Sequence, residues 1–429
     1  MSRLNRTSAK ADTAASNMRN RIGSGTILAP AFLVTAFCGL LWPQMRPLEW
    51  ADIDARLAAG EGYSQDTFNA RIRGLNEETA KRMAEGERDH LIYYILQSTR
   101  FTSVPPVEPA LSARAGAIDV QVHNRISDFL KSEQTGSRIE ILRRLLPDTG
   151  RRKFIESEYR RAMKFLYEKE AASQSKQGEA RRSHIASLYQ QRGHSTDTQL
   201  EANYALHTGL SVIRELDAGF RARRVLIIGP GMDFSPRTGL NEETEPQSYQ
   251  PYAVTDSLLK LGLATLSNLE IHGADINPRV VDFLNRHPKT LSLCWNEGEP
   301  DHELYFTSLG SAIGTPSPIA NHCRTLTLDK STGIRGLQWN ILTQRPDPHN
   351  PYDIVIATNV LLYFPRTELL LALNNIGLQL RAGGYLLHND LRGEMEEFTK
   401  PLGMAPVHGR MIRMPGKDLY DSVVIHRKN

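Results

Sequence analysis

The chain has 429 residues, 40% of them hydrophobic and 23% charged, and a formal net charge of +4. This length and composition predict one large or two ordinary domains with buried cores, and they exclude disordered and fibrous classes of protein. The charge gives no strong nucleic-acid signal, because the basic excess at residues 151–192 is local and is better interpreted as a solvated helical surface than as a nucleic-acid or lipid-head-group patch.

The three cysteines, Cys38, Cys294 and Cys323, show no paired CxxC spacing. We therefore predict no metal site. The sequence leaves open whether Cys294 and Cys323 form a disulfide.

The N-terminal 42 residues combine a basic flank with an apolar run. Five Lys or Arg residues precede residues 26–42, which carry no charge. The run is short for a membrane helix but is typical of the apolar region of a secretory signal. We predict that residues 1–42 are a signal or an anchor that could associate with a membrane, with the basic flank in the cytoplasm.

Residues 43–195 are predicted to form a helical N-terminal domain, since they show no strand alternation of any length. Leu91, Tyr94 and Ile95, for example, fall on one helical face. A Pro-rich segment at residues 103–112 separates two of the predicted helices.

From residue 224 onward, short apolar runs alternate with helical segments. The runs cover residues 225–228, 269–274, 354–357 and 385–387. Continuous apolar runs are typical of strands buried on both faces of a parallel sheet. The alternation predicts that residues 196–429 form a doubly wound, mostly parallel, Rossmann-like α/β domain. Two strand-like runs joined through Pro415 and Gly416 predict a C-terminal antiparallel hairpin.

Small and acidic residues follow the first two runs. Gly229, Pro230 and Gly231 come after the first, and Asp275 comes after the second. In a doubly wound sheet the ligand lies beyond the carboxyl ends of the strands. A glycine there lets the backbone approach a ligand closely, and a carboxylate is placed to accept the hydroxyls of a ribose. The alternatives are a structural turn for the glycines and a helix N-cap for Asp275.

A polar, turn-rich stretch at residues 233–252 separates the glycines from the first helix. A nicotinamide enzyme places a helix N-terminus directly behind its glycines to hold a pyrophosphate. Because the helix is displaced here, a nicotinamide-dependent oxidoreductase is disfavoured. We predict that the stretch folds over the pocket as a lid, with Tyr249 or Tyr252 near the site.

Four stretches together resemble the class I S-adenosylmethionine-dependent methyltransferases. They are the strand and Gly-Pro-Gly turn at 225–231, GADIN with Asp275, YDIVIATNVLLYF, and LRAGGYLLHND. Within the third, NVLLYF is similar to the chemotaxis-receptor glutamate methyltransferases. The resemblance spans residues 200–429 and implies a seven-stranded Rossmann-like sheet and S-adenosyl-L-methionine as the cofactor.

The resemblance also implies which residues contact the methionine and ribose parts of that cofactor. Gly229 and Gly231, with Pro230 between them, would lie against the methionine portion. Asp275 would accept the ribose hydroxyls, and Asn359 would line the methionine side.

For the adenine, the resemblance implies a sandwich between Ile276 and Ile341, with Asn340 where the family often has an acid. The first motif departs from the family at two positions. Ile227 stands near where an acidic residue is usual, and Asp233 stands near where a third glycine is usual.

Methyl transfer from a sulfonium needs in-line alignment more than acid or base assistance, and a general base is required only for a nucleophile that carries a proton. The candidate catalytic residues are Tyr363, His388 and Asp390 at strand ends, with Tyr189 and Arg192 from the segment before the first strand. Each also has a structural interpretation. Tyr363 could pack in the core, His388 could be a satisfied core histidine, and Asp390 could cap a helix.

Two functions follow from these observations. One is a methyltransferase whose helical N-terminal domain covers the site and selects an acceptor that the sequence does not identify. The alternative is a non-catalytic, exported or membrane-anchored binding module that retains the fold. The N-terminal segment indicates export or anchoring, whereas the supply of the cofactor indicates the cytoplasm.

Overall fold

The computed structural model describes residues 44–235, 242, 244–329, 332–347, 350–414 and 420–429. The predicted signal or anchor at residues 1–42 and the predicted turn at Pro415 and Gly416 lie outside these residues. No helix in the described part is long and apolar enough to cross a membrane. The described residues belong to one compact unit, Pro43–Asn429.

Helices dominate the first half of the described chain, and strands alternate with helices in the second. The helices are α1 (Ala55–Gly60), α2 (Gln65–Gln97), α3 (Pro109–Ala115), α4 (Val120–Lys131), α5 (Ser137–Arg143), α6 (Arg151–Glu170), α7 (Gly178–Gln191), α8 (Ala202–Leu216), α9 (Gln250–Lys260), α10 (Pro278–Asn285), α11 (Pro300–Ser308), α12 (Arg366–Gln379) and α13 (Glu394–Thr399). The strands are β1 (Gln44–Pro47), β2 (Arg224–Ile228), β3 (Glu270–Asp275), β4 (Thr290–Cys294), β5 (Gly314–Pro316), β6 (Cys323–Leu328), β7 (Ile334–Gln338), β8 (Gln344–Asp347), β9 (Tyr352–Ala357), β10 (Leu380–His388), β11 (Met404–Arg413) and β12 (Tyr420–Lys428). The predicted mixed α/β fold is confirmed.

The largest sheet has seven strands in the order β11-β12-β10-β9-β2-β3-β7. Its five strands from β10 to β7 are parallel, whereas β12 is antiparallel to both of its neighbours. Both faces of the central strand β2 are covered, with Val225 and Ile227 in one hydrophobic cluster and Leu226 and Ile228 in another. This two-sided burial explains why the strand has a continuous apolar sequence.

Helices supply the apolar surfaces that cover the sheet. The cluster on one face includes residues of α8, α9 and α10, and the cluster on the other includes residues of α1, α12, α13 and the first half of α2. In α12, Leu369, Leu373 and Ile376 have no exposed surface, as their helical spacing predicts. Full burial of each such side chain contributes about 1.5–3 kcal/mol.

Helix α2 connects the helical region to the sheet. It has 33 residues and is therefore about 50 Å long. Its first half packs into the sheet cluster through Phe68 and Leu75, and its second half packs with α4, α5 and α6 around a third core. The strand β1 was not predicted, because it spans four residues and its partner, β8, is distant in sequence.

A separate antiparallel sheet, β4-β6-β5, is inserted between the neighbouring strands β3 and β7 of the large sheet. Cys294 and Cys323 are directly opposite one another on β4 and β6 and form a disulfide. The structure thus answers the question of their pairing that the sequence left open.

Candidate functional site

A cavity of about 940 Å³ lies at the carboxyl ends of β2, β3 and β9. Its volume falls within the usual range for ligand pockets, roughly 300–1,000 Å³. Seven of the eight residues predicted to contact a cofactor line it, namely Gly229, Gly231, Asp275, Ile276, Asn340, Ile341 and Asn359. Pro230 does not line it, because the proline is buried and its ring packs over Gly273.

The glycine turn after β2 requires glycine for two reasons. Gly229 has a φ of +63° and Gly231 a φ of +67°, which other residues rarely adopt. A Cβ on Gly229 would lie 2.6 Å from Cγ2 of Val360, and a Cβ on Gly231 would lie 2.6 Å from the carbonyl oxygen of Thr196. Side chains are therefore excluded from this edge of the cavity by conformation and by space.

Asp275 ends β3 with its side chain buried. Its Oδ1 accepts a hydrogen bond from the N–H of Asn277 at 2.8 Å, and its Oδ2 accepts one from the N–H of Gly231 at 3.4 Å. Burial raises the pKa of Asp275 to about 6, although these backbone hydrogen bonds act in the opposite direction. A carboxylate has about four acceptor sites, so capacity remains for two further donors.

The next strand ends contribute an apolar wall. Ile276 and Ile341 line the cavity, and so does Asn340. The amide of Asn340, however, donates to Oδ1 of Asn76 at 3.1 Å and to Oγ1 of Thr79 at 3.4 Å, both on α2. These contacts hold the wall against the helical region, so the amide hydrogens are already used.

The glycine turn is covered by residues 192–199, which we call the strap. The strap runs parallel to the chain after the turn, where the N–H of Met232 donates to the carbonyl oxygen of Thr196 at 2.7 Å and the N–H of Thr198 donates to that of Met232 at 2.9 Å. Seven of its eight residues line the cavity. Arg192 of the strap and Tyr189 just before it were among the predicted catalytic candidates, but no local pattern predicts that the strap covers the glycine turn.

The strap crosses α2 at a contact between two glycines. A Cβ on Gly86 would overlap the carbonyl oxygen of His194, and a Cβ on Gly193 would overlap the backbone nitrogen of Gly86. The N–H of His194 donates to the carbonyl oxygen of Arg82 at 2.8 Å. The Arg82 guanidinium in turn donates to the carbonyl oxygen of Tyr363 at 2.9 Å. Backbone contacts thus fix the strap to α2, and the Arg82 side chain connects α2 to the segment after β9.

Residues 236–241 and 243 of the predicted lid lie outside the described residues, and the described parts of that stretch pack into the protein. Tyr249 and Tyr252 belong to the hydrophobic core and do not line the cavity. The reason is Asp233, a buried carboxylate that needs partners. The Tyr249 hydroxyl donates to it, and Arg138 of α5 pairs with it at 3.0 Å, so this stretch folds inward. Neither tyrosine lines the cavity, although Tyr249 directly precedes Gln250, which does.

The first helix after the glycines is displaced in sequence but not in space. Gln250, the first residue of α9, lines the cavity with only 5% of its surface exposed. Its Nε2 donates to Oγ1 of Thr358 at 3.2 Å, while its Oε1 has no partner among the described residues. The helix N-terminus therefore does reach the site, and the prediction that it is moved away is wrong.

Asn359 follows β9 at the cavity wall with a φ of +58°. Its N–H donates to Oδ1 of Asn389 at 2.9 Å, and the Asn389 amide donates back to Oδ1 of Asn359 at 2.7 Å. Asparagine tolerates this left-handed conformation better than most residues. The reciprocal pair fixes the end of β9 against the end of β10.

Three of the five catalytic candidates line the cavity, namely Tyr363, Tyr189 and Arg192. The rings of Tyr189 and Tyr363 meet edge to face with centroids 5.6 Å apart. Tyr363 is 9% exposed.

His388 and Asp390 lie outside the cavity lining. His388 is fully buried at the end of β10, with its Nε2 3.1 Å from Nδ1 of His426, and burial followed by the neighbouring His426 lowers the pKa of His388 to about 3. Asp390 pairs with Arg392 at 2.6 Å. The position of His388 matches its structural interpretation better than the catalytic one. Asp390 does not cap a helix, since the N-cap of α13 is Gly393, and its pairing with Arg392 explains its burial.

No protein-family model and no curated protein matches the chain. Solved structures similar to it include the N-methyltransferase NodS from Bradyrhizobium japonicum WM9, at 13% identity and a TM-score of 0.28, covering 52% of this chain and 94% of NodS. A second similar structure is magnesium protoporphyrin IX methyltransferase (ChlM) from Synechocystis PCC 6803 with bound S-adenosylhomocysteine, at 9% identity and a TM-score of 0.31. The match covers 54% of this chain and 84% of the ChlM chain. A third is the 1,6-didemethyltoxoflavin-N1-methyltransferase from Burkholderia thailandensis, at 14% identity and a TM-score of 0.29. The match covers 52% of this chain and 79% of the methyltransferase chain. At these TM-scores the similarities assign no reaction to the chain.

Proposed function

We propose that this protein is an S-adenosyl-L-methionine-dependent methyltransferase. The observation that carries the proposal is that the glycine turn after β2 and the buried Asp275 after β3 meet at one cavity, on neighbouring parallel strands. The sheet supports it, because seven strands with an antiparallel C-terminal hairpin are what the resemblance to class I methyltransferases implies.

The residues present fit this cofactor. The remaining acceptor capacity of Asp275 suits the two hydroxyls of a ribose, and Ile276 and Ile341 offer apolar surfaces to an adenine. Neighbouring strands are about 4.8 Å apart, so the end of β9 lies about 10 Å from the end of β3 across the glycine turn. The methionine tail would extend in this direction, towards Gln250 and Thr358.

When bound, the cofactor would supply a methyl group on a positively charged sulfur. The chain would contribute alignment, since an in-line displacement gains most from fixed geometry. The strap and α2 are held beside the site by backbone contacts that a side-chain rearrangement does not break.

Calorimetric titration of the purified protein with S-adenosylmethionine, S-adenosylhomocysteine and NAD tests the proposal. We expect both sulfur nucleosides to bind and NAD not to bind. Since α9 begins at the cavity and could hold a pyrophosphate, the NAD titration is the necessary comparison. Binding of NAD alone, or of none of the three, would overturn the proposal.

Gln250 supplies a more specific test of where the methionine tail lies. Its Oε1 is a buried acceptor with no partner among the described residues, and an unsatisfied buried acceptor is costly. The ammonium group of the methionine tail would provide the missing donor.

Gln250→Leu is therefore expected to weaken binding of S-adenosylhomocysteine about tenfold, because a hydrogen bond to a charged group contributes roughly 1.5–3 kcal/mol. Binding of 5′-deoxy-5′-methylthioadenosine, which lacks the amino-acid tail, should not change. Gln250→Glu retains an acceptor and should bind S-adenosylhomocysteine at least as tightly as the wild type. Equal losses for both nucleosides in Gln250→Leu would mean that Gln250 acts only on the fold.

The second candidate function is an exported or membrane-anchored binding module without catalysis. The disulfide between Cys294 and Cys323 favours it, because disulfides persist mainly in oxidising compartments. A reporter fused to the C-terminus shows whether this part of the chain is exported or stays in the cytoplasm. A fusion that is active only in the cytoplasm would exclude export.

A further inference from the structure

The cavity extends beyond the strand ends into a second part that the proposed cofactor contacts do not use. We call this part the outer chamber. Its walls come from α2, α3, α6 and α7 and are mainly apolar or aromatic. The residues are Tyr93, Gln97, Pro109, Ala110, Phe165, Leu166, Ile185 and Tyr189.

Aromatic rings connect the outer chamber to the strand ends. Phe165 and Tyr189 meet at 76° with centroids 5.5 Å apart, Tyr189 meets Tyr363 at 90° and 5.6 Å, and Tyr363 meets His194 at 68° and 5.7 Å. Edge-to-face pairs of this kind hold one another in fixed orientations. The series provides rigid surfaces for a flat ligand.

Cationic side chains lie close to two of these rings. The guanidinium of Arg192 lies 4.0 Å from the centroid of Phe165, and Nζ of Lys169 lies 5.6 Å from that of Tyr189. The acids of this part of the wall are Glu170, which pairs with Lys169 at 3.3 Å, and the exposed Glu108. A cationic ligand would meet like charges at the aromatic surfaces. An anionic ligand would find both cations already paired, Lys169 with Glu170 and Arg192 with Asp89, so the arrangement favours a neutral ligand.

His194 on the strap is the polar group where this series reaches the strand ends. It is 8% exposed, it lines the cavity, and its Nε2 has no hydrogen-bond partner among the described residues. Burial, followed by the positive charge of Arg82, lowers the pKa of His194 to about 3, so the imidazole is neutral at physiological pH. A neutral imidazole can accept a hydrogen bond from a ligand hydroxyl or amino group.

We propose that the outer chamber binds the methyl acceptor, a neutral aromatic molecule with a hydroxyl or amino group, and that Nε2 of His194 accepts a hydrogen bond from that group. This proposal rests on the proposed function, because it places the nucleophile beside the cofactor site. His194 would act as a positioning residue that fixes the nucleophile while the aromatic rings hold the flat part of the molecule.

Two matched probes test this proposal without knowledge of the natural acceptor. The probes are 2-naphthol and its methyl ether, 2-methoxynaphthalene, each titrated into full-length protein saturated with S-adenosylhomocysteine. We expect the wild type to bind 2-naphthol about fivefold more tightly, since the ether cannot donate a hydrogen bond. His194→Phe should remove this preference, and His194→Gln, which retains an acceptor, should restore part of it. His184→Phe, on α7 and outside the cavity lining, should change neither affinity.

The outcomes separate this inference from the proposed function. If S-adenosylhomocysteine binds but neither naphthalene does, or if the wild type binds both equally, the inference is overturned and the proposed function stands. If His194→Phe also loses S-adenosylhomocysteine, His194 supports the fold and the inference is again overturned. If the wild type does not bind S-adenosylhomocysteine, the proposed function itself fails.

Discussion

Asp275→Ala is expected to weaken binding of S-adenosylhomocysteine at least tenfold at pH 8, which corresponds to about 1.4 kcal/mol. The physical reason is the loss of two hydrogen bonds from ribose hydroxyls to a buried carboxylate that has only backbone donors as partners. Binding of 5′-deoxy-5′-methylthioadenosine should weaken equally, because it has the same ribose. This shared loss distinguishes Asp275 from Gln250, whose replacement should affect only the nucleoside with the tail.

The pH dependence of the wild type provides an internal check. Burial raises the pKa of Asp275 from 3.8 to about 6 in the free protein. Ribose hydroxyls donate to the ionised form, so the affinity should be constant above pH 7 and fall as the pH drops below 6, by up to about tenfold per unit. Asp275→Ala should lose this dependence. An affinity that is unchanged in the variant would mean that the carboxylate serves only to order the turn at Asn277.

Arg138→Met is expected to lower the free energy of unfolding by about 3–5 kcal/mol, the usual cost of leaving one member of a buried ion pair alone. The side chains of Arg138 and Asp233 are 2% and 4% exposed. Besides the carboxylate, Arg138 donates to the carbonyl oxygens of Asp233, Thr244 and Glu245. All of these acceptors would lose their donor at once, beside the chain that forms the glycine turn.

The loss of stability in Arg138→Met should be larger at pH 8 than at pH 5. Burial raises the pKa of Asp233 to about 6 even with Arg138 in place, and without the guanidinium it would rise further. In the folded variant, Asp233 therefore keeps its proton to a higher pH than it does in the unfolded chain. The stability of the variant falls as the pH rises.

Urea unfolding followed by circular dichroism at the two pH values measures this effect. Arg144→Met is the matched control, because Arg144 is exposed directly after the same helix, and its replacement should have little effect. Equal stabilities of Arg138→Met and Arg144→Met would show that the buried pair contributes nothing to the fold.

The fold could be predicted from local sequence to a large extent. The continuous apolar run at Val225 to Ile228 is caused by burial on both faces of the sheet. Its short length and the glycines that follow it are what favour a strand over a helix. The small sheet that contains Cys294 and Cys323 could not be predicted, since its strands are short and take their stability from one another and from the core. The strand β1 was missed because it is also short and pairs with a strand that is distant in sequence.

The candidate site was predictable where its residues directly follow strands. Gly231, Asp275 and Ile341 line the cavity because parallel strands bring their carboxyl ends to one edge. The position of Tyr249 was not predictable, because it depends on the partner that a buried Asp233 finds in a helix far away in sequence. A cover from the helical N-terminal region was expected, but the strap was not, since nothing local connects it with α2.

The contact between Gly86 and Gly193 determines the position of α2 along its own axis, relative to the strap. Thr79 on α2 supports the wall beside Asn340, and Tyr93 on the same helix lines the outer chamber, about 21 Å further along. The neighbours of Gly86 are glutamates engaged elsewhere, with Glu85 bound to Arg161 and Glu87 to Arg279. A shift of α2 by one residue would press a side chain onto the strap. On the proposed function, we expect a change of acceptor preference to follow from exchange of the side chains that line the chamber, while the longitudinal position of α2 stays constant.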